Sequence, residues 1–334
     1  MKHVVTEQYL DEAQVHPPEV SRHFGQAIAE SLKELLNSKD SFSEVNSPYS
    51  DSPGSSAFSK AGFDYVHCHA SESLFLSPRP SAEKVRWYFK KSPRAKYRQS
   101  KSYLDATQAL RAHQTQIHAS WVKRLLKSKT KIPQSVLEVE SETPDLLIAL
   151  RALGFEIAYS LNPRCSDALL KKHQIRSIHS NRLAQSMIGK FGVVAAFRTF
   201  EQQFDQKAFI EEAFHLLAPG GHLILTSRVA SGFDIQVLWE NAKISPIEHL
   251  NLPSVEGVKQ LIKSIGFSIQ ELSTPGQLDV QLLEKAIREN SKLELPRWID
   301  YFINNRDQYA KVKLQTFLQE NLLSSNLRLV AKKI

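Results

Sequence analysis

The chain has 334 residues, 12 glycines and two cysteines, Cys68 and Cys165, which excludes a disulfide framework and an all-cysteine structural zinc site. Apolar residues at 42% and charged residues at 23% describe a globular protein with material for a core, and no apolar run approaches the roughly 18 residues of a membrane span. The net charge of +8 is concentrated in one stretch, because Lys84–Lys131 carries 14 Lys and Arg against a single acid, Asp105.

In chain order, MKHVVTEQYLDEAQ is acidic and polar where a signal peptide would be apolar, so a cytoplasmic protein is expected. Residues 17–36 place Phe24, Ile28, Leu32, Leu35 and Leu36 at helical spacing. SKDSFSEVNSPYSDSPGSS predicts a loop, and FDYVHCHASESLFLSPRP predicts a hairpin ending at Pro78 or Pro80. Residues 82–129 predict helix, with Trp87, Phe89, Leu104, Leu110, Ile117, Trp121 and Leu125 as apolar anchors.

From Pro133 strands and helices alternate. Strands are predicted at SVLEVE, FEIAYSL, IRSIHS, FGVVAAF, HLILTSRV and SIQELST. Between them lie helices at PDLLIALRALG, SDALLKKHQ, 206–218 (ending in APGG) and SVEGVKQLIKSIG. Residues 279–324 predict helix and NLRLVAKK a closing strand. The rhythm is that of an α/β, doubly wound parallel sheet. The chain divides into an N-terminal helix and hairpin (1–80), a basic helical segment (81–132) and an α/β domain (133–334) with a helical insertion at 279–324.

These pieces resemble the class I S-adenosylmethionine-dependent methyltransferases, whose Rossmann-like sheet has an antiparallel last strand. FHLLAPGGHLILTSRV is similar to that family's helix, Pro-Gly-Gly turn and fifth strand, and SVLEVESETPDLLIALRALGFEIAYSLNP matches its first strand through its second. GFDIQVLWENAKISPIEHLNLPSVEGVKQLIKSIGFSIQELSTPGQLDV resembles a subgroup associated with polysaccharide gene clusters, in which an N-terminal zinc ribbon precedes the catalytic domain. The family's cofactor loop reads Gly-x-Gly-x-Gly, because a Cβ there would collide with the ligand. The resemblance sets those glycines on Glu140, Glu142 and Pro144. The ribose-gripping acid of the second strand falls on Asn162, the usual Phe-Asp of the fourth strand on Phe191-Gly192, and a following acid on Arg198. Glu138 and Glu201 match acidic family positions.

The ribbon's two Cys-x-x-Cys knuckles correspond to Ser47, Ser50, Cys68 and Ser71. Serine ionises too poorly to ligate zinc, and Cys68 with the adjacent His69 does not make a structural site, so no metal is expected. In SPIEHLNL, with Glu248, His249 and Asn251, His249 is the candidate general base for methyl transfer. Its bland alternative is an ordinary packed histidine. KVRWYFKKSPRAKYRQSK interleaves aromatic residues with eight cations, a mixture that suits an anionic ligand; helices that pack one face and solvate the other explain it equally, and nucleic acid is disfavoured.

The resemblance thus implies a methyltransferase-like protein without its cofactor or zinc, acting as a non-catalytic structural or regulatory partner of an active methyltransferase relative or another protein. The alternatives are an active enzyme that uses S-adenosylmethionine to methylate a sugar or sugar nucleotide, and a binding module for an anionic partner through Lys84–Lys131.

Overall fold

A computed structural model describes residues 18–126, 135–155, 157–179 and 187–334. It opens with helix α1 (Pro18–Leu36) and an antiparallel sheet of β1 (Ser55–Lys60), β2 (Phe63–Cys68) and β3 (Ser73–Leu76). Helices α2 (Ala82–Lys90), α3 (Pro93–Arg98), α4 (Lys101–Ala106) and α5 (Gln108–Leu126) follow. The α/β part runs β4 (Ser135–Val139), α6 (Asp145–Ala152), β5 (Ile157–Leu161), α7 (Asp167–Lys172), β6 (Arg176–Ile178), β7 (Phe191–Phe197), α8 (Gln206–Leu216) and β8 (Leu217–Arg228). It continues with α9 (Phe233–Leu238), β9 (Asn251–Leu252), α10 (Val255–Ser264) and β10 (Phe267–Ser273). Helices α11 (Asp279–Glu289), α12 (Arg297–Asn305) and α13 (Gln308–Glu320) precede β11 (Asn326–Lys333).

The main sheet has seven strands in the order β10-β11-β8-β7-β4-β5-β6. Strands β4 to β8 pair in parallel, and β11 inserts antiparallel between β8 and β10. Central strands buried on both faces need continuous apolar runs, and FGVVAAF supplies one, buried from Phe191 to Ala196. One face packs on α8 and α10 through Ile210, Ala213, Val258 and Ile262. The other packs on α5, α6 and α7 through Val122, Leu147, Leu150 and Leu170. The α/β sheet, with the last strand of the chain antiparallel, is thus as the sequence predicts. No helix among the described residues is long and apolar enough to cross a membrane.

A third apolar cluster joins the two ends of the chain. Leu35 of α1, Tyr65 and Leu74 of the small sheet and Tyr88 of α2 share it with Leu283, Ile303 and Leu318 of the C-terminal helices. The N-terminal region and the 279–324 insertion therefore form one cap over the sheet domain. Arg79 fastens that cap: its buried guanidinium donates to the carbonyls of Leu76 and Phe204 and to Asn251 Oδ1 at 2.9–3.2 Å.

Several local expectations change. The serine-rich stretch ends in a strand, because Ser55–Lys60 pairs with β2 and supplies Phe58 to the core. The basic segment is four helices, divided where the Ser92 and Ser100 side chains accept the backbone N–H of Ala95 and Tyr103 as N-caps. APGG belongs to β8 and not to the preceding helix: Leu217 is already extended, and the strand shifts register between its Phe191 and Val193 partners. A Cβ on Gly221 would lie 2.9 Å from the Ala218 carbonyl oxygen and 3.0 Å from that of Phe191, so the irregularity requires glycine. Helix α9 and the short β9, which adds to β3, lie where no element is predicted.

Gly232 caps α9 where the loop touches β11, and a Cβ there would stand 2.4 Å from Ser325 Cα. Ser325 is fixed in turn by Asp279, whose Oδ1 accepts its backbone N–H at 2.8 Å, and by Asp234. Gly232→Ala should therefore cost about 1–3 kcal/mol through overpacking, read from urea denaturation midpoints. An unchanged midpoint would mean that the loop retreats freely from β11.

Candidate functional site

In a doubly wound sheet the ligand cleft lies beyond the carboxyl ends of the strands, at the switch point where the order reverses. Here β4 is that point, with β5 on one side and β7 on the other. Three strand ends around it share one device. Glu140 after β4, Asn162 after β5 and Arg198 after β7 all have left-handed backbones, with φ of 55°, 48° and 55°. Each donates its N–H to the neighbouring strand end, to the carbonyls of Leu161 and Ile178 (2.7 Å each) and to Thr226 Oγ1 (2.9 Å). A non-glycine residue in this region costs roughly 1–2 kcal/mol, and Glu140 adopts it where the resemblance sets the family's first glycine.

Glu140 and Glu142 do not stand free. Arg164, two residues past Asn162, donates from Nη2 to Glu140 Oε2 at 2.5 Å, and its Nη1 lies 3.6 Å from Glu142. Arg94 and Arg98 of α3 reach Glu142 from the other side, Arg94 at 3.1 Å. Arg94 also forks onto Glu248, with Nε 2.6 Å from Oε1 and Nη2 3.1 Å from Oε2. Tyr88 Oη donates to the same carboxylate at 3.2 Å. The Arg164 guanidinium lies 3.8 Å from the Phe89 ring centroid, a cation–π seat. Three guanidiniums and three carboxylates balance in charge, with the Arg94 and Arg164 side chains only 3% and 5% exposed. Burial alone would raise the Glu248 carboxyl, but Arg94, backed by Arg98 and Arg164, holds it down at about 2. Burial, with Arg94 alongside, lowers Arg98 to about 10.

The remaining candidate positions are placed as follows. Pro144 stands at the N-terminus of α6, and Gly192 is buried within β7. Glu138, buried at the end of β4, accepts from Ser141 Oγ at 2.7 Å and is raised by burial to about 7. Glu201, in a short 3-10 turn after β7, is likewise raised by burial to about 7. His249 is half-buried, with Nδ1 held 3.0–3.1 Å from the Ser245 backbone. Burial and the Arg228 charge pull its imidazole down to about 3. An imidazole so depressed is a weak proton acceptor at neutral pH. Its neighbours Glu248 and Asn251 are engaged by Arg94 and Arg79.

The four zinc-knuckle positions converge in space. Ser50 Oγ lies 3.1 Å from Cys68 Sγ. Burial alone would raise that thiol, but hydrogen bonding from Ser47, Ser50 and Ser71 brings it down to about 7. The basic segment is partly spent inside the protein: besides Arg94 and Arg98, Arg111 pairs with Asp145 and Arg124 with Glu271. Lys84, Arg86, Lys90, Lys91, Lys96 and Lys101 remain exposed. Lys127, Lys129 and Lys131 lie outside the described residues.

Residues 110–272 match the family model described as a methyltransferase domain. No curated protein matches the chain. Among solved structures, the phosphoethanolamine N-methyltransferase 2 of Haemonchus contortus is similar at 15% identity and a TM-score of 0.45, covering 78% of this chain and 62% of its own. The plantazolicin methyltransferase is similar at 13% identity and 0.44, covering 75% and 94%. An S-adenosylmethionine-dependent methyltransferase from Mesorhizobium loti follows at 12% identity and 0.38, covering 64% and 98%. The strand order and the family match, and not these distant likenesses, define the class: the chain carries a methyltransferase-like domain.

Sequence reasoning located the two loop glutamates but missed Arg94, Arg98 and Arg164. The available signal was charge: two acids at a buried strand end require cations, and the basic segment and Asn162-Pro163-Arg164 were the places to seek them.

Two predictions follow from these electrostatics. Arg94→Ala strands Glu248 and leaves Glu142 with poorer partners, a loss of about 3–5 kcal/mol in chemical denaturation; Arg94→Lys should recover only part, because an ammonium cannot fork onto a carboxylate. Glu138 has a folded pKa near 7 against an ordinary 4.5, so its contribution is fully present below pH 4.5 and is lost as pH rises through 7. Glu138→Gln should accordingly raise Tm at pH 8, on the order of 2–4 °C for about 1 kcal/mol, with the gain vanishing by pH 4.5. A gain that persists in acid would assign the effect to packing instead.

Proposed function

We propose that this protein is a methyltransferase-like scaffold that has replaced cofactor binding with an internal ion cluster, and that it serves as a non-catalytic structural or regulatory partner. The observation that carries this reading is the saturation of Glu140 and Glu142 by Arg94, Arg98 and Arg164 at the turn where the fold's cofactor would approach bare backbone. A ligand entering there must separate buried ion pairs, at about 3–5 kcal/mol for a pair left incomplete. That penalty takes a micromolar site, about −8 kcal/mol, down by about two to three orders of magnitude. The cofactor's own carboxylate offers no relief, since it would meet two carboxylates whose cations are already engaged. A loop that keeps the left-handed turn but fills it with paired side chains supports descent from a cofactor-binding protein.

The exposed cations of α2 to α4, from Lys84 to Lys101, are a face that suits an acidic partner. An active methyltransferase relative is one such partner by hypothesis.

Isothermal titration with S-adenosylmethionine and S-adenosylhomocysteine tests the reading. Neither should saturate the protein below about 0.1 mM, following the penalty above. Micromolar binding of either would overturn the proposal and favour the active enzyme, in which case His249→Ala becomes the next variant to assay.

A further inference from the structure

The tip of the small sheet carries a group of side chains that the methyltransferase-like domain does not use. His67 and His69 flank Cys68 at the end of β2, and Glu72 closes the turn that leads into β3. Alternation along a strand sends residues 67 and 69 to the face opposite residue 68. Cys68 accordingly points inward among the serines and is fully buried, while His67 is half-buried and His69 and Glu72 are exposed. One ring nitrogen of each histidine and a carboxylate oxygen of Glu72 lie within 4.8 Å of one another. His67 Nε2 is 3.1 Å from Glu72 Oε2, and the two imidazoles stand edge to face at 4.7 Å. Ser55 Oγ of β1 sits 2.8 Å from His69 Nε2 and orients that ring.

We infer that His67, His69 and Glu72 form a binding site for a zinc-class divalent cation, distinct from the knuckle positions around Cys68. Two imidazoles and a carboxylate form an N,N,O set that suits zinc, with a fourth position left to water. Ligand bonds of about 2.0–2.1 Å in tetrahedral geometry set the donors roughly 3.4 Å apart. The His67–Glu72 pair already meets that spacing, and the remaining closure falls to the exposed His69 and Glu72, which turn without disturbing the core. The bound ion ties the end of β2 to the β2–β3 turn, with Ser55 steadying one ligand from β1. It thereby clasps the edge of the cap sheet, whether or not the cofactor cleft is occupied.

The test is calorimetric titration of the tag-free full chain with zinc chloride, with Tm recorded alongside. One saturable equivalent and a rise in Tm are expected. His69→Ala and Glu72→Gln should each weaken binding at least about tenfold, while Cys68→Ser leaves it unchanged. Because residues 69 and 72 are exposed, circular dichroism should show both variants folded. Absence of saturable binding, or binding that survives His69→Ala but is lost in Cys68→Ser, would overturn the assignment.

Discussion

The arrangement on which the cap and the sheet domain both depend is the six-membered ion cluster at the carboxyl ends of β4 and β5. It draws on four separate segments: the turn after β4 (Glu140, Glu142), the loop after β5 (Arg164), helix α3 (Arg94, Arg98) and the loop before β9 (Glu248). Helix α1 joins through Ser31, whose hydroxyl accepts the Arg94 backbone N–H at 3.0 Å. Removing any one charge leaves another unpaired in a poorly solvated place, which is why buried ion pairs bind segments together more firmly than their net contribution suggests. Every member satisfies another, and the rings of Phe89 and Tyr88 lie against the guanidiniums.

A second network of internal partners surrounds Cys68. Where the resemblance implies four thiolates around zinc, one thiol is surrounded by serines that hydrogen-bond to it. In both places polar or charged side chains fill the volume and most of them bond to one another, Ser71 Oγ being the exception. A buried polar network is stable only when its members are mutually satisfied, and these two are built from residues far apart in sequence.

That separation explains what the sequence revealed. The strands of the main sheet were legible because each is a local pattern: apolar runs such as FGVVAAF, bounded by helices of regular period. The place of Glu140 and Glu142 beyond β4 was legible because spacing from the strand located it. Arg94 was not, because nothing near it in the chain shows that it folds inward, whereas Lys90 and Lys96 beside it stay in water. Composition marked the segment as a basic surface, and only tertiary packing separates the cations spent inside from those left outside. β1 was hidden for a related reason: SSAFSK has little strand character alone and becomes a strand by pairing with β2, with Phe58 and Tyr65 in contact at 5.1 Å.

The left-handed residues at the strand ends show how the cluster and the sheet depend on each other. Glu140, Asn162 and Arg198 each bear a conformational cost that glycine would avoid, yet each N–H closes a bond to the adjacent strand end. The conformation is therefore required by the sheet, independently of any ligand. Glycine would meet the same requirement without that cost, so a longer side chain in this conformation calls for a compensating interaction. Glu140 compensates through Arg164, whose guanidinium it holds against Phe89. The ion cluster and the turn are thus coupled, since the strain of the left-handed residue is offset by the pairing that its long acidic side chain makes with Arg164.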